Sequence, residues 1–385
     1  MTCFIFGRLG RVSFPTVGVI GAGQLARMMV PPAVDLGISL SLFAGAKDES
    51  GALVAPHCIG SLTDFAAVLK WAAGCDVVTF EHELIPQELI LAIESSGVKV
   101  FPRASSFTYS QNKLAMREKM SELGLPNPRW ERYDGGTPLL EFPLIAKRVS
   151  GGYDGRGVFV INALSELTEL HNSIGQPLLL EEKLDFDFEI AVMVARSPHG
   201  QAATWAPTLT VQRDGICTQT VTPIPNFSRA LASQTAQIAL TIAQGIDLVG
   251  VMAVEIFVMG GHLIINELAL RPHNSGHWSI EGAVTSQFEQ HLRAVLDLPL
   301  GDTSLIAPYA VMGNVIGIET DKSKDLYRPY LHLLARTPGL KIHQYMKELR
   351  PGRKVGHVTL LGRDLLHLRS EVSHAVDYLS GAIDE

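Results

Sequence analysis

The segment VEIFVMGGHLIINELALRPHNSGHW, residues 254–278, concentrates side chains able to do chemistry. Two apolar runs meet at Gly260-Gly261, which reads as a hairpin. Counting a three-residue loop of Gly260, Gly261 and His262 sets Glu255 directly opposite Glu267 on one face. Like charges facing each other across strands destabilise by roughly 0.2–1 kcal/mol unless a cation bridges them. Hard carboxylate oxygens suit magnesium, which takes one or two carboxylates together with nucleotide phosphates. A two-residue loop would slip the register and leave two solvated glutamates on opposite faces. Arg271, His273, Asn274 and His277 follow within a short span and lack the helical spacing of a zinc site. Donors this dense beside a magnesium pair would make an anion or oxyanion pocket.

A second candidate is KRVSGGYDGRGVFVI, residues 147–161. A phosphate-binding P-loop would end in Gly-Lys-Ser/Thr and open a helix, whereas Arg156-Gly157 leads into a β run. Gly151, Gly152, Gly155 and Gly157 therefore make a flexible connection between two strands, a lid over a ligand and not a rigid cradle. Lys147 closes the first strand, where a fixed cation could meet phosphate, and Tyr153, Asp154 and Arg156 lie inside the loop. A plain surface hairpin is the alternative.

The other motifs are weaker. GAGQLA (21–26) resembles the start of a dinucleotide fingerprint, with Ala26 where the third glycine belongs and Asp48 at a distance suited to a ribose. It reads more simply as a sheet end where an anion approaches a helix N-terminus. KELRPGRKVGHV (347–358) gathers Lys347, Arg350, Arg353 and Lys354 around a Pro-Gly turn, either a solvated face or a phosphate clamp.

The elements that must position these groups divide the chain. Strand, glycine turn, helix and strand alternate from Thr16 onward, which predicts a parallel α/β sheet, Rossmann-like, over 16–112. Strands then dominate with helices at 163–173, 228–245 and 279–296, an α+β style, over 113–310, with a lid subdomain at about 126–187. Residues 311–385 read as a small β-rich module, and 1–15 as an extension, either disordered or the result of a start codon placed too early. The chain has 385 residues, 46% hydrophobic and 18% charged, with a net charge of −7, an ordinary globular profile that argues against non-specific binding to nucleic acid or an anionic membrane. The most apolar stretch, 238–259, carries Gln244, Asp247 and Glu255, so it is not read as a membrane span. The opening fifteen residues lack the core and cleavage site of a signal peptide. Cys3, Cys58, Cys75 and Cys217 show no metal or redox spacing and are read as solitary thiols of a cytoplasmic protein.

Taken in order, these elements resemble the ATP-grasp superfamily and, within it, the N5-carboxyaminoimidazole ribonucleotide synthetase family of purine biosynthesis. The likeness spans nearly the whole chain and is carried by GGYDGRG, NELALRPHNSGHW and RPGRKVGH, with GAGQLARMM and TFEHE in support. It implies an ATP-grasp fold and an ATP- and bicarbonate-dependent carboxylation of 5-aminoimidazole ribonucleotide through carboxyphosphate. It implies that Lys147 and residues 151–157 hold the ATP phosphates, that Glu181, Glu182, Lys183 and Leu184 face adenine, and that Glu189 binds ribose. Glu255 and Glu267 would ligate magnesium, or manganese in its place, with Asn266 beside the nucleotide. Tyr153, Asp154, Arg156, Arg271, His273 and Asn274 would surround the aminoimidazole and bicarbonate. Lys347, Arg353 and Lys354 would take the ribonucleotide phosphate, with Gln24 and Glu81 nearby. A homodimer is also implied.

Four positions depart from the family pattern: Lys113 for arginine and Gln212 for histidine at the nucleotide, Leu84 for asparagine after EHE, and Ala26 for glycine. Two alternatives stay open. One is another ATP-grasp carboxylate-amine ligase, such as the formate-dependent glycinamide ribonucleotide transformylase; RPHNSGHW argues against it, as the lack of a biotinyl-lysine context argues against a biotin carboxylase. The other is a nicotinamide-dependent oxidoreductase using the N-terminal loop.

Overall fold

The computed structural model describes residues 14–151, 157–318 and 327–383. Gly152, Tyr153, Asp154, Gly155 and Arg156, expected to form a lid, and the extension up to residue 13 lie outside the described residues.

The N-terminal sheet consists of β1 (Thr16–Ile20), β2 (Ser39–Ala44), β3 (His57–Ile59), β4 (Val77–Phe80) and β5 (Lys99–Val100), in the order β3-β2-β1-β4-β5. Every pairing is parallel, as alternating strands and helices require. Val17, Val19, Val78 and Phe80 are buried, because helices such as Gln24–Asp35, Phe65–Ala72 and Gln87–Ser95 supply apolar faces to the sheet.

The helix Lys113–Glu122 ends at Leu123, with Gly124 left-handed at φ +67° and Pro126 beyond. A four-stranded antiparallel sheet follows: β6 (Trp130–Tyr133), β7 (Leu144–Arg148), β8 (Val158–Ile161) and β9 (Leu178–Glu182), ordered β6-β9-β7-β8. One face packs Leu144, Ala146, Leu178 and Leu180 against Leu167 of the helix Leu164–Ile174. Strand alternation then sends Lys147 and Glu181 to the other face.

The largest sheet contains β10 (Phe188–Arg196), β11 (Ala202–Thr204), β12 (Thr208–Arg213), β13 (Ile216–Thr222), β14 (Gly250–Met259), β15 (His262–Ala269), β16 (Tyr309–Ile316), β17 (Lys341–Gln344) and β18 (Lys354–Gly362). Its order is β15-β14-β10-β12-β13-β16-β18-β17, with β11 added to β10. The strands from the segment read as a C-terminal module thus continue the central sheet through β13–β16 pairing. That segment also carries two helices, Pro329–Arg336 and Leu365–Ser380.

Two expectations need correction. The helix expected over 279–296 is two, Ser279–Gly282 and Gln287–Val295, because Ser286 caps a new N-terminus by accepting from the Glu289 N–H. The cysteines are not four solitary thiols: Cys58 is disulfide-bonded, whereas Cys75 and Cys217 keep their thiols. Among the described residues no helix is long and apolar enough to cross a membrane.

Candidate active site

A cleft of about 1360 Å³ opens where the three sheets meet, and Lys147, Glu189, Glu255, Glu267, Arg271 and Lys354 are among the residues lining it. Its floor is the β14–β15 hairpin. The turn there has two residues, not three: Met259 pairs with His262, and Gly260 and Gly261 take φ of +55° and +79°, the left-handed values a tight hairpin needs. Uninterrupted counting would place Glu255 opposite Asn266. A bulge between Glu255 and Ile256 takes up that extra residue, so Glu255 does face Glu267. The expected juxtaposition is present, and its cause is the bulge.

Arg117 holds this bulge. Its guanidinium is wholly buried and donates to the carbonyls of Ile265 (2.7 Å) and Asn266 (2.8 Å), to Asn127 Oδ1 (3.1 Å) and to Glu181 Oε1 (2.6 Å). A planar fork with five donors can satisfy four acceptors at once, which lysine could not. Sequence reasoning missed Arg117. The available signal was its place among Leu114, Met116 and Met120 on the buried side of its helix, where a charge needs partners.

Charge at the hairpin is unbalanced. Burial, then the like charges of Glu267 and Glu189, push the Glu255 carboxyl up to about 7. Burial also pushes Glu267 up, but Lys113, ion-paired with it, brings it below the usual carboxylate range, with help from Lys147 and Arg117. Lys113, one of the departures from the family pattern, therefore still supplies a cation. Among the described residues no cluster of three or more His, Cys, Asp or Glu could hold a metal alone. Two facing carboxylates, one of them carrying excess negative charge, fit magnesium, whose remaining ligands would be phosphate oxygens and water.

Lys147 and Glu181 sit diagonally on paired strands, Ile145 being opposite Glu181. The Lys147 ammonium is 2.7 Å from Glu181 Oε2 and donates to Asn266 Oδ1 at 3.1 Å, so the bulged residue touches the lid-strand cation. Burial lowers Lys147 from its usual value and Glu181 opposes this; Glu181 is held low by Lys147 and Arg117 against its own burial. The Glu181 side chain thus supports the cation. Glu182 takes the Arg129 N–H (2.7 Å) and Nε (2.8 Å), and Lys183 and Leu184 line the cleft beyond it. Burial raises Glu189, and a hydrogen bond from Gln212 partly offsets that. Gly151 lines the cleft and Gly157 packs on Arg148, both at positive φ.

On the acceptor side, Arg271 meets Glu83 through Nε–Oε1 (2.8 Å) and Nη2–Oε2 (3.0 Å). Glu83 was not singled out, although it lies two residues after Glu81 in TFEHE. His273 Nε2 is 3.7 Å from Glu255 Oε1. Asn274 and the buried Asn314 exchange amide hydrogen bonds at 2.8 and 2.7 Å. Lys347 donates to Gln24, Lys354 lines the cleft, and Arg353 donates to the Glu348 carbonyl at 3.4 Å. Arg350 is drawn away to Glu348 at 2.7 Å.

The N-terminal loop behaves differently from expectation. Glu81 accepts from the backbone N–H of Gly23 and, at 3.1 Å, of Ala26, so the anion at this helix N-terminus belongs to the chain itself. A Cβ on Gly21 would lie 2.4 Å from Glu81 Cγ, and one on Gly23 2.5 Å from Glu81 Oε1. These glycines make room for Glu81, and the oxidoreductase alternative loses its phosphate site. Ala26 is buried against this turn, and Leu84 is exposed at the cleft rim.

Three family models match the chain: a ribonucleotide synthetase preATP-grasp domain over 14–111, an ATP-grasp domain over 119–288, and a phosphoribosylaminoimidazole carboxylase C-terminal domain over 310–371. The N5-carboxyaminoimidazole ribonucleotide synthase of Mycobacterium bovis is 42% identical over 377 residues, covering 95% of this chain and 88% of the relative. The corresponding Thermus thermophilus crystal structure superposes with a TM-score of 0.84 at 33% identity, over 96% of this chain and 99% of that one. An Aspergillus clavatus synthase solved with ADP and 5-aminoimidazole ribonucleotide gives 0.84 at 30% identity, over 96% and 99%. With its hairpin carboxylates, lid-strand lysine and three-sheet cleft, the chain belongs to the N5-carboxyaminoimidazole ribonucleotide synthase family of ATP-grasp ligases.

Proposed function

We propose that the protein carboxylates 5-aminoimidazole ribonucleotide at its exocyclic amine, using ATP and bicarbonate, to give N5-carboxyaminoimidazole ribonucleotide in purine biosynthesis. Bicarbonate oxygen attacks the γ-phosphorus, ADP leaves, and carboxyphosphate forms; the amine then takes the carboxyl group, directly or as released carbon dioxide, and phosphate leaves. The observation that carries this reading is the Glu255–Glu267 pair facing a buried lysine across one cleft, with the Arg271–Asn274 donors beside it.

In this reading Lys147, with Gly151 and Gly157 at the lid's ends, neutralises phosphate charge. Lys183 and Leu184 face adenine, and Glu189, oriented by Gln212, binds ribose. Glu255 and Glu267 would hold magnesium, which offsets charge on the nucleotide phosphates when bound. Lys113 occupies Glu267 until the ion and nucleotide arrive. Arg271 exchanges Glu83 for bicarbonate or its phosphate adduct, and His273 and Asn274 orient that adduct. Lys347, Arg353 and Lys354 clamp the ribonucleotide phosphate next to Gln24. Tyr153, Asp154 and Arg156 would close over the labile intermediate and keep water out. A cytoplasmic homodimer completes the proposal, supported by resemblance to the family.

Carbon-13 bicarbonate and 5-aminoimidazole ribonucleotide test the reaction directly. Expected is acceptor-dependent ADP release with label in the carbamate of the product, and oxygen-18 passing from bicarbonate to phosphate. ADP release driven equally by glycinamide ribonucleotide and formate would point to the other ligase.

A further inference from the structure

The His273–His277 turn is held from behind by one fully buried amide, Gln287, at the start of the helix Gln287–Val295. Its Oε1 accepts the His273 N–H at 2.8 Å, and its Nε2 donates to the His273 carbonyl at 2.8 Å and to His277 Nδ1 at 3.0 Å. The backbone contacts decide which end of the amide is which, since an N–H can only donate and a carbonyl can only accept. His277 Nδ1 therefore accepts, and the neutral ring carries its proton on Nε2. Burial, followed by the nearby charges of His273, His343, Lys354 and Arg271, holds His277 well below the usual histidine range, in keeping with a neutral ring.

The turn is shaped around this amide. A Cβ on Gly276 would lie 2.6 Å from Gln287 Oε1, so only glycine fits there. Ser279 Oγ donates to the Gly276 carbonyl at 2.6 Å and accepts the Gln287 N–H at 2.9 Å, closing the unit. The same turn carries Asn274, fixed on its other side by Asn314, and His273, which reaches toward Glu255.

We infer that Gln287 is a positioning residue for the carboxylation proposed above: it fixes the backbone that aims His273 and sets the tautomer of His277. The inference rests on that proposal for its catalytic consequence. It acts through His273, since Gln287 itself is sealed from the cleft.

The test compares the parent with Gln287→Leu and Gln287→Glu by initial rates, and reads the parent's imidazole tautomers by nitrogen-15 NMR. Loss of alignment of this size costs on the order of 10- to 100-fold in kcat. The KM for ATP should stay within about twofold, because Lys147, Glu189 and Gln212 lie on other strands. Glutamate fills the same volume but offers at most one donor, when protonated, where the amide uses two, so it should not restore kcat. Near-parental kcat in a folded leucine variant, rescue by glutamate, or a parallel rise in the KM for ATP would overturn the role. An Nδ1–H tautomer or an imidazolium at His277 near neutral pH would overturn the assignment even if the variants fail to fold. A parent that does not carboxylate the acceptor would refute the proposed function alone, and the NMR result would still decide the tautomer.

Discussion

Two glycine turns in this protein each bring a carboxylate to a backbone turn, and they end in opposite electrostatic states. At the N-terminal loop, Gly21 and Gly23 leave room for Glu81, whose charge is met by the N–H groups of Gly23 and Ala26. At the central hairpin, Gly260-Gly261 and the Asn266 bulge bring Glu255 opposite Glu267, and Lys113 pairs with only one of them. At the first turn the charge is met within the chain. The second leaves negative charge for a metal and nucleotide to balance. A glycine motif thus marks close backbone approach, and charge balance decides whether that approach serves stability or chemistry.

The largest expected effect separates the two turns. Glu267→Gln keeps the shape of the hairpin and removes the charge that holds magnesium against the triphosphate, so turnover should fall by about three orders of magnitude. Steady-state ADP formation at saturating magnesium checks this, and a loss of only a few-fold would refute the metal assignment.

Next is the support beneath the hairpin. Arg117→Met removes the shared partner of Glu181 and of two bulge carbonyls, and breaking a buried pair from one side costs roughly 3–5 kcal/mol. Chemical unfolding should show it, and a loss under about 1 kcal/mol would mean the bulge stands without Arg117.

Glu81→Ala should cost about 0.5–2 kcal/mol, the range for losing a helix cap, and leave the KM for ATP unchanged. A large rise in the KM for either nucleotide would return Glu81 to the substrate site.

A pH slope reads the charge imbalance of the hairpin itself. Without metal, Glu255 is raised from 4.5 to about 7 on folding, so the folded state binds more protons between those values. Its contribution to stability is therefore present at low pH and lost as pH rises through about 7. Glu255→Gln should remove that slope; urea unfolding of parent and variant across pH 4.5 to about 7 should diverge steadily, and parallel curves would contradict the charge imbalance.

Much of this was legible in sequence because it depends on local residue types. Alternating strands and helices announced the parallel N-terminal sheet, and Arg271, His273, Asn274 and Lys147 line the cleft. What was not legible depends on contacts distant in sequence. The hairpin register could not be counted, because a one-residue bulge held by Arg117, 148 residues before Ile265, sets it. Glu81 lines the cleft, as a substrate neighbour would, but nothing local reveals that its carboxylate also turns back to residues 58 and 55 positions earlier. Gln287 and Asn314 are ordinary polar residues in sequence; burial alone makes them part of the site.

The contrast between the two turns is tested most directly by manganese binding in the presence of ADP, read by electron paramagnetic resonance in the parent, Glu267→Gln and Glu81→Gln. The account predicts that the parent and Glu81→Gln bind the ion alike, and that Glu267→Gln weakens it by about tenfold or more, the loss of one hard charged ligand. Equal binding by all three, or loss in Glu81→Gln alone, would contradict it.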